Sequence, residues 1–269
     1  MPTLTNSFKF YLLSLLFFPA FTYGADPAHT YKVYDKARKP YLKICTTAGC
    51  TKTNLPNTEN SSNLYFETPS FTLHDLDNDG IPELIITEES SNGAVNVGST
   101  LFRINKNGKF EQIIDNNKKN TGHYLYNITF HDGKIISSYR NAASWFEEVY
   151  SYISGKLILE MQDKNSFERT IFDKNGKVIE KIILVENDKN WWERKPQFAK
   201  VTSDKAWLYN SPDANDQSKM YLIKDNRILL RDYKRSEDED IWYCLVEYTT
   251  NNNKKIVKWI KEKEFEKEE

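Results

Sequence analysis

Residues 131–183, HDGKIISSYRNAASWFEEVYSYISGKLILEMQDKNSFERTIFDKNGKVIEKII, decide the fold. Apolar and aromatic runs of five to eight residues alternate with short clusters of Asn, Asp, Gly and Lys, and helical spacing of the apolar residues is not sustained. The clusters share a form. His131-Asp132-Gly133-Lys134, Ile153-Ser154-Gly155-Lys156 and Lys174-Asn175-Gly176-Lys177, with Lys106-Asn107-Gly108-Lys109 upstream, each place a glycine where a tight hairpin demands positive φ. Those glycines are 25, 22 and 21 residues apart, a period that predicts one hairpin per repeat and two hairpins per four-stranded blade. The expected class is all-β, a meander that closes as a β-propeller-like domain or a curved sandwich.

Toward the N-terminus, Lys9 is followed by an apolar run from Phe10 to Phe21 that only Ser14 interrupts. Twelve residues fall short of the roughly 20 needed to span a bilayer, so residues 1–24 read as a secretory signal peptide cut after Gly24. No cysteine follows the run to accept a lipid. A periplasmic chain without a membrane anchor is therefore expected, starting near Ala25. Lys+Arg 37 against Asp+Glu 38 gives a formal charge of -1, too little to gather nucleic acid or anionic lipid. Aromatics at 14% and charged residues at 28% describe a well-stocked core under a polar surface.

Toward the C-terminus the pattern breaks at NDKNWWERKPQ, residues 187–197, and a boundary is placed there between a domain at 25–190 and a second at 198–266. The second has five strand signals: Ala206 to Tyr209, Met220 to Ile223, Arg227 to Tyr233, Ile241 to Tyr248 and Ile256 to Ile260. That is enough for a small barrel, which Trp242 is expected to close as a packed aromatic. The final KEKEFEKEE reads as a solvated, frayed tail. In the hairpin YLKICTTAGCTK, Cys45 and Cys50 are spaced for a disulfide, and an oxidising compartment would favour it. Cys244, within WYCLVEY, reads as a buried small hydrophobe.

The sharpest local signal is LHDLDNDGIPELIIT, residues 73–87. Asp75, Asp77 and Asp79 alternate, Gly80 turns the chain, and Glu83 follows. Ca²⁺ takes six to eight oxygens, and this spacing offers carboxylates at positions 1, 3, 5 and 9 with the Ile81 carbonyl at position 7. Position 12 of a helical calcium hand would be Ile86, which cannot ligate, so the loop is expected as a calcium staple between strands. The same residues without metal would make an Asx-rich turn.

This loop resembles the DxDxDGxxE/D repeats of FG-GAP and VCBS propellers. Read on through KIISSYRNAASWFEEVYSYISGKLILEM and ERTIFDKNGKVIEKI, the chain resembles periplasmic β-propeller proteins related to lysozyme inhibitors and found as immunity proteins. The likeness covers roughly residues 28 to 190. The remainder, AWLYNSPD, KMYLIKDNRILLRDY, IWYCLVEY and KKIVKWIKEKEF, resembles a bacterial SH3 (SH3b) domain. Lys258-Trp259 stands in place of its usual Gly-Trp, and no arginine follows the first strand.

No HExxH, GxSxG, P-loop or strand-borne GxGxxG is present, and His29, His74, His123 and His131 have no nucleophile beside them in sequence. Glu147 and Glu148 are neighbours on a strand, so they point to opposite faces and cannot bracket one bond. No catalytic residue is assigned. The resemblance implies instead a non-enzymatic inhibitor or immunity protein that blocks a peptidoglycan hydrolase or toxin. Tyr139, Arg140, Asn141, Ser144 and Trp145 are the expected contact loop, with an aromatic at each end and a guanidinium that could pair with a catalytic carboxylate. The alternative is a peptidoglycan-binding accessory protein acting through the SH3b segment.

Overall fold

The computed structural model describes residues 30–34, 40–56, 69–88, 95–105, 107–114, 125–186, 189–236 and 240–268; the expected signal peptide, His29 and His123 lie outside them. Among the described residues the chain is all-β, with two short 3-10 turns and no α-helix. Strands β1 (Thr30–Tyr34), β2 (Tyr41–Thr46) and β3 (Gly49–Asn54) form one sheet. A second holds β4 (Ser70–His74), β5 (Glu83–Glu88), β6 (Gly98–Ile104) and β7 (Phe110–Gln112), with β8 (Leu125–Tyr126) also on β6. A third runs in simple order through β9 (Thr129–His131), β10 (Lys134–Asn141), β11 (Ser144–Ile153), β12 (Lys156–Lys164), β13 (Glu168–Phe172) and β14 (Val178–Ile183).

The second sheet is the middle layer. Successive side chains of a strand point to opposite faces, and Leu84, Ile86, Phe102 and Ile104 join Leu42 and Leu55 of the first sheet's region in one core. Ile85 and Leu101 enter another core with Ile135, Tyr150, Leu157 and Leu159 of the third sheet. Burial on both faces explains why Leu84, Ile85 and Ile86 are apolar in succession, since an antiparallel strand with one wet face would alternate.

All four glycine clusters join antiparallel strands. Asp132-Gly133 and Ser154-Gly155 have positive φ at both residues, the two-residue turn whose twist matches a hairpin. Around Gly108 and Gly176 the loops are one residue longer, and Asn105 and Asp173 each accept two backbone N–H groups across the turn. Three of the four turns serve the single six-stranded sheet.

The C-terminal strands are β15 (Phe198–Val201), β16 (Ala206–Tyr209), β17 (Gln217–Leu222), β18 (Arg227–Arg235), β19 (Trp242–Thr249), β20 (Lys255–Lys261) and β21 (Phe265–Lys267). They make a seven-stranded sheet, ordered β17-β16-β20-β19-β18-β15-β21, curled into a half-barrel. Two expectations are corrected here. The tail is not frayed: Phe265 is buried in the core and β21 pairs with β15, because one apolar residue among charges is enough to fix an edge strand's facing. Trp242 is 47% exposed, and its neighbour Tyr243 is the buried aromatic, one step along the strand placing it on the inner face.

The two halves share material. Ile183 of β14 enters the C-terminal core, Arg231 of β18 pairs with both Glu180 and Glu247, and Lys181 meets Asp232 at 3.0 Å.

Cys45 and Cys50 face each other across β2 and β3 and are disulfide-bonded, with Cα atoms 4.0 Å apart. Cys244 is fully buried, and desolvation pushes its thiol up to about 12. Native protein is therefore expected to show no reaction with Ellman's reagent until denatured, when one thiol titrates, and reduction should raise the intact mass by two hydrogens. A fast-reacting native thiol would contradict this placement.

Candidate functional site

Two features carry chemistry, and both are built at strand ends. The first is the acidic loop between β4 and β5. Asp75 accepts the N–H of Asp79 at 3.1 Å on one oxygen and that of Gly80 at 3.0 Å on the other. Asp79 accepts the Ile81 N–H at 2.7 Å, and Asn78 and Gly80 take positive φ to close the turn. This wrapping brings Asp75, Asp77 and Glu83 together, each with an oxygen within 4.8 Å of the others'. Asp79, expected as a ligand from the spacing, is not in that group.

Glu83 is the unusual member. Only 2% exposed, it accepts the Leu76 N–H at 2.9 Å, and burial pushes its carboxyl up to about 7, with the Asp77 charge adding. Asp77 is also raised, by desolvation and then by Asp79. The buried Tyr152 hydroxyl beside Glu83 has no hydrogen bond of ordinary geometry. Three converging oxygens, one on a buried carboxylate, are a donor set that suits a hard divalent cation.

The second feature is the tip of the β10–β11 hairpin. Asn141 and Ser144 are paired, so the connection is only Ala142-Ala143, with Ala142 at φ 52°. An L-residue in that region costs roughly 1–2 kcal/mol. Arg140 and Trp145 face each other as the next rung. Trp145 is 49% exposed, and Arg140 is exposed with its Nε donating to the Ala142 carbonyl at 3.0 Å. Among the described residues Arg140 has no carboxylate partner.

Asparagines grip both sides of the tip. Asn96 accepts the Arg140 N–H at 2.8 Å and donates to the Arg140 carbonyl at 2.9 Å. Asn165 accepts the Trp145 N–H at 2.9 Å and returns its own N–H to the Trp145 carbonyl at 2.8 Å. Sequence reading missed both asparagines; they lie 44 and 20 residues from their partners, and no local pattern marks such a contact. Tyr139 sits further in, half-buried. It stacks on Phe146 and donates to Glu148, and burial raises its hydroxyl's pKa.

Glu147 and Glu148 serve separate networks. Glu147 pairs with Arg194, whereas Glu148 accepts from Tyr139, Tyr150 and Gln162. His74 and His131 are both in ring stacks. On the half-barrel, a shallow groove of about 400 Å³ is lined by residues that include Leu208, Met220, Tyr221, Ile223, Tyr248 and Ile256, and by neither Trp242 nor Trp259. No family model, curated protein or solved structure matches this chain.

Proposed function

We propose that this chain is a periplasmic, non-enzymatic inhibitor or immunity protein that binds a peptidoglycan hydrolase or secreted antibacterial effector through the 140–145 hairpin tip. The observation that carries this reading is the double asparagine grip on a strained tip that leaves exposed a tryptophan and a guanidinium with no carboxylate partner among the described residues. Holding a loop in its bound shape beforehand lowers the entropy lost on binding, and Trp and Arg are the residues that most often anchor an interface. Arg140, Asn141, Ser144 and Trp145 make the contact in this reading, and Tyr139 braces it from beneath. The propeller-like arrangement of the first three sheets and the SH3b-like character of the half-barrel belong to the same proposal. So does a calcium ion held by Asp75, Asp77 and Glu83. Its chemistry would be structural: it cancels carboxylate repulsion and ties β4 to β5.

A second reading has its own support. The apolar groove beside β17 favours a wall-binding accessory role for the half-barrel.

Inhibition assays with mature protein against a panel of peptidoglycan hydrolases test the first reading. Arg140→Ala combined with Trp145→Ala is expected to weaken inhibition by about 1,000-fold, at about 2 kcal/mol per anchor, while Tm moves by no more than a few degrees. Collapse of the fold would assign these residues to the core. Sedimentation with purified murein, without inhibition of any hydrolase, would move the conclusion to the wall-binding role. Murein hydrolysis by the chain alone would overturn both readings.

A further inference from the structure

Buried polar atoms in folded proteins are nearly always hydrogen-bonded, so one that is not calls for a physical reason. Tyr152 of β11 is such a case. The residue is 5% exposed, and its fully buried hydroxyl makes no hydrogen bond of ordinary geometry. The Glu83 carboxylate of the acidic loop lies beside that hydroxyl, and the charges of Asp77 and Arg103 reach it. A donor therefore sits next to an acceptor without bonding it.

Glu83 is held through one oxygen, its Oε2 accepting the Leu76 N–H at 2.9 Å. An ionised carboxylate offers about four lone-pair sites, which leaves Glu83 room for a cation shared with Asp75 and Asp77 and for a second donor as well. Packing brings that donor here. Tyr150 and Tyr152 point to the same face of β11 and enter the core that Leu76 of the loop, Ile85 of β5 and Leu101 of β6 share. Tyr152 pairs with Leu157 across the Ser154-Gly155 turn, and Arg103 of β6 lies so close to this turn that a Cβ at Gly155 would come within 2.6 Å of its guanidinium. The acidic loop belongs to the second sheet and Tyr152 to the third.

We propose that Tyr152 is a positioning residue of the cation site: its hydroxyl donates to Glu83 while that carboxylate holds the ion, so that the cation clamps the third sheet onto the second. This rests on the calcium reading above and extends it, because a loop staple alone would tie only β4 to β5. A group that orients a metal ligand and occupies its remaining lone pair raises metal affinity, commonly by about tenfold or more. Here the same bond would give the buried hydroxyl its missing partner. Trp145 lies seven positions from Tyr152 along β11, roughly 23 Å. Asn96, just before β6, holds the β10–β11 hairpin at its tip, and calcium would fasten the opposite end.

Opposite signs are expected in two buffers. In EDTA, Tyr152→Phe removes only a hydroxyl that has no bond to lose, and Tm is expected to stay level or rise. In calcium, the same variant is expected to bind the ion at least tenfold more weakly by calorimetric titration, and the calcium-induced rise in Tm to shrink. A residue that only packed would lower Tm alike in both. Wild-type protein that takes up no calcium would overturn the calcium reading and this inference with it. Uptake with an unchanged Kd in Tyr152→Phe, or an equal loss of Tm with and without calcium, would overturn this inference and leave the calcium reading standing. Should Tyr152→Phe not fold, wild-type protein labelled at the tyrosine ζ carbons decides. The Tyr152 resonance is expected to move as calcium is added, and an unmoved resonance during calcium uptake overturns the assignment.

Discussion

Asp163→Ala is expected to cost about 3–5 kcal/mol of stability, the largest effect of any single change considered. Asp163 is 2% exposed and accepts three charged hydrogen bonds, two from Arg169 and one from Arg194, all at 2.7 Å. It occupies one rung across three strands: Glu147 on β11 and Arg169 on β13 are its register partners on either side. Arg194 reaches this rung from outside the sheet, also bonding Glu147 and the Lys189 carbonyl, while Arg169 bonds the Trp191 carbonyl. Removing the shared carboxylate leaves two largely buried guanidinium groups without their main counter-charge. A folded domain has only about 5–15 kcal/mol in total, so much of the margin would be lost. Urea denaturation followed by tryptophan fluorescence measures the loss directly. Arg194→Ala should cost less, because Asp163 keeps Arg169. A loss below about 1 kcal/mol for Asp163→Ala, the range typical of solvated pairs, would show that water compensates the cluster.

Chelation is the second large effect. A ligand at a hundredfold excess over Kd adds about 2.7 kcal/mol to the native state. Stripping calcium with EDTA should lower Tm by roughly 5–10 °C, at about 2–4 °C per kcal/mol for a chain of this size. Asp77→Ala should reproduce the loss and abolish calcium uptake in calorimetry. The pH dependence in chelator follows from Glu83. Its folded carboxyl, lifted to about 7 from an ordinary 4.5, holds a proton more tightly than the unfolded chain does, so stability rises as pH falls from about 7 toward 4.5. A melting curve indifferent to EDTA, with no calcium heat, would leave the loop as a hydrogen-bonded turn closed by Asp75 and Asp79.

Particular residues mark how far the sequence could be read. The glycine turns were legible because positive φ at a two-residue hairpin is a local demand, met by Gly133 and Gly155 whatever surrounds them. The Ala142 turn was read as a longer loop, because no glycine announces it; a tertiary grip from Asn96 and Asn165 accompanies the strain there. In the half-barrel, strand signals were placed within about three residues of the observed strands, yet β15 and β21 were missed, their short runs carrying too little alternation to stand out. The polar stretch 187–197 looked like a linker by composition. Its described part supplies Arg194 to a buried carboxylate and Trp192 to a histidine stack, and neither contact has a sequence-local signature.

By itself the sequence determined the all-β class, the glycine turns at Gly133, Gly155 and Gly176, the Cys45–Cys50 pairing and the acidic loop between two strands, but neither the six-stranded order of the third sheet nor that Asp79 stands outside the group of Asp75, Asp77 and Glu83. Each feature so determined depends on residues within about a dozen positions, where backbone geometry leaves few arrangements. Tertiary structure alone decided which sheet lies in the middle, that β14 docks on β18, that Tyr243 rather than Trp242 is buried, and that His74 stacks on Phe130 and His131 on Trp192. Those outcomes turn on which apolar face covers which. The hydrophobic effect is non-directional, so a strand's own residues state that a face is buried without stating against what.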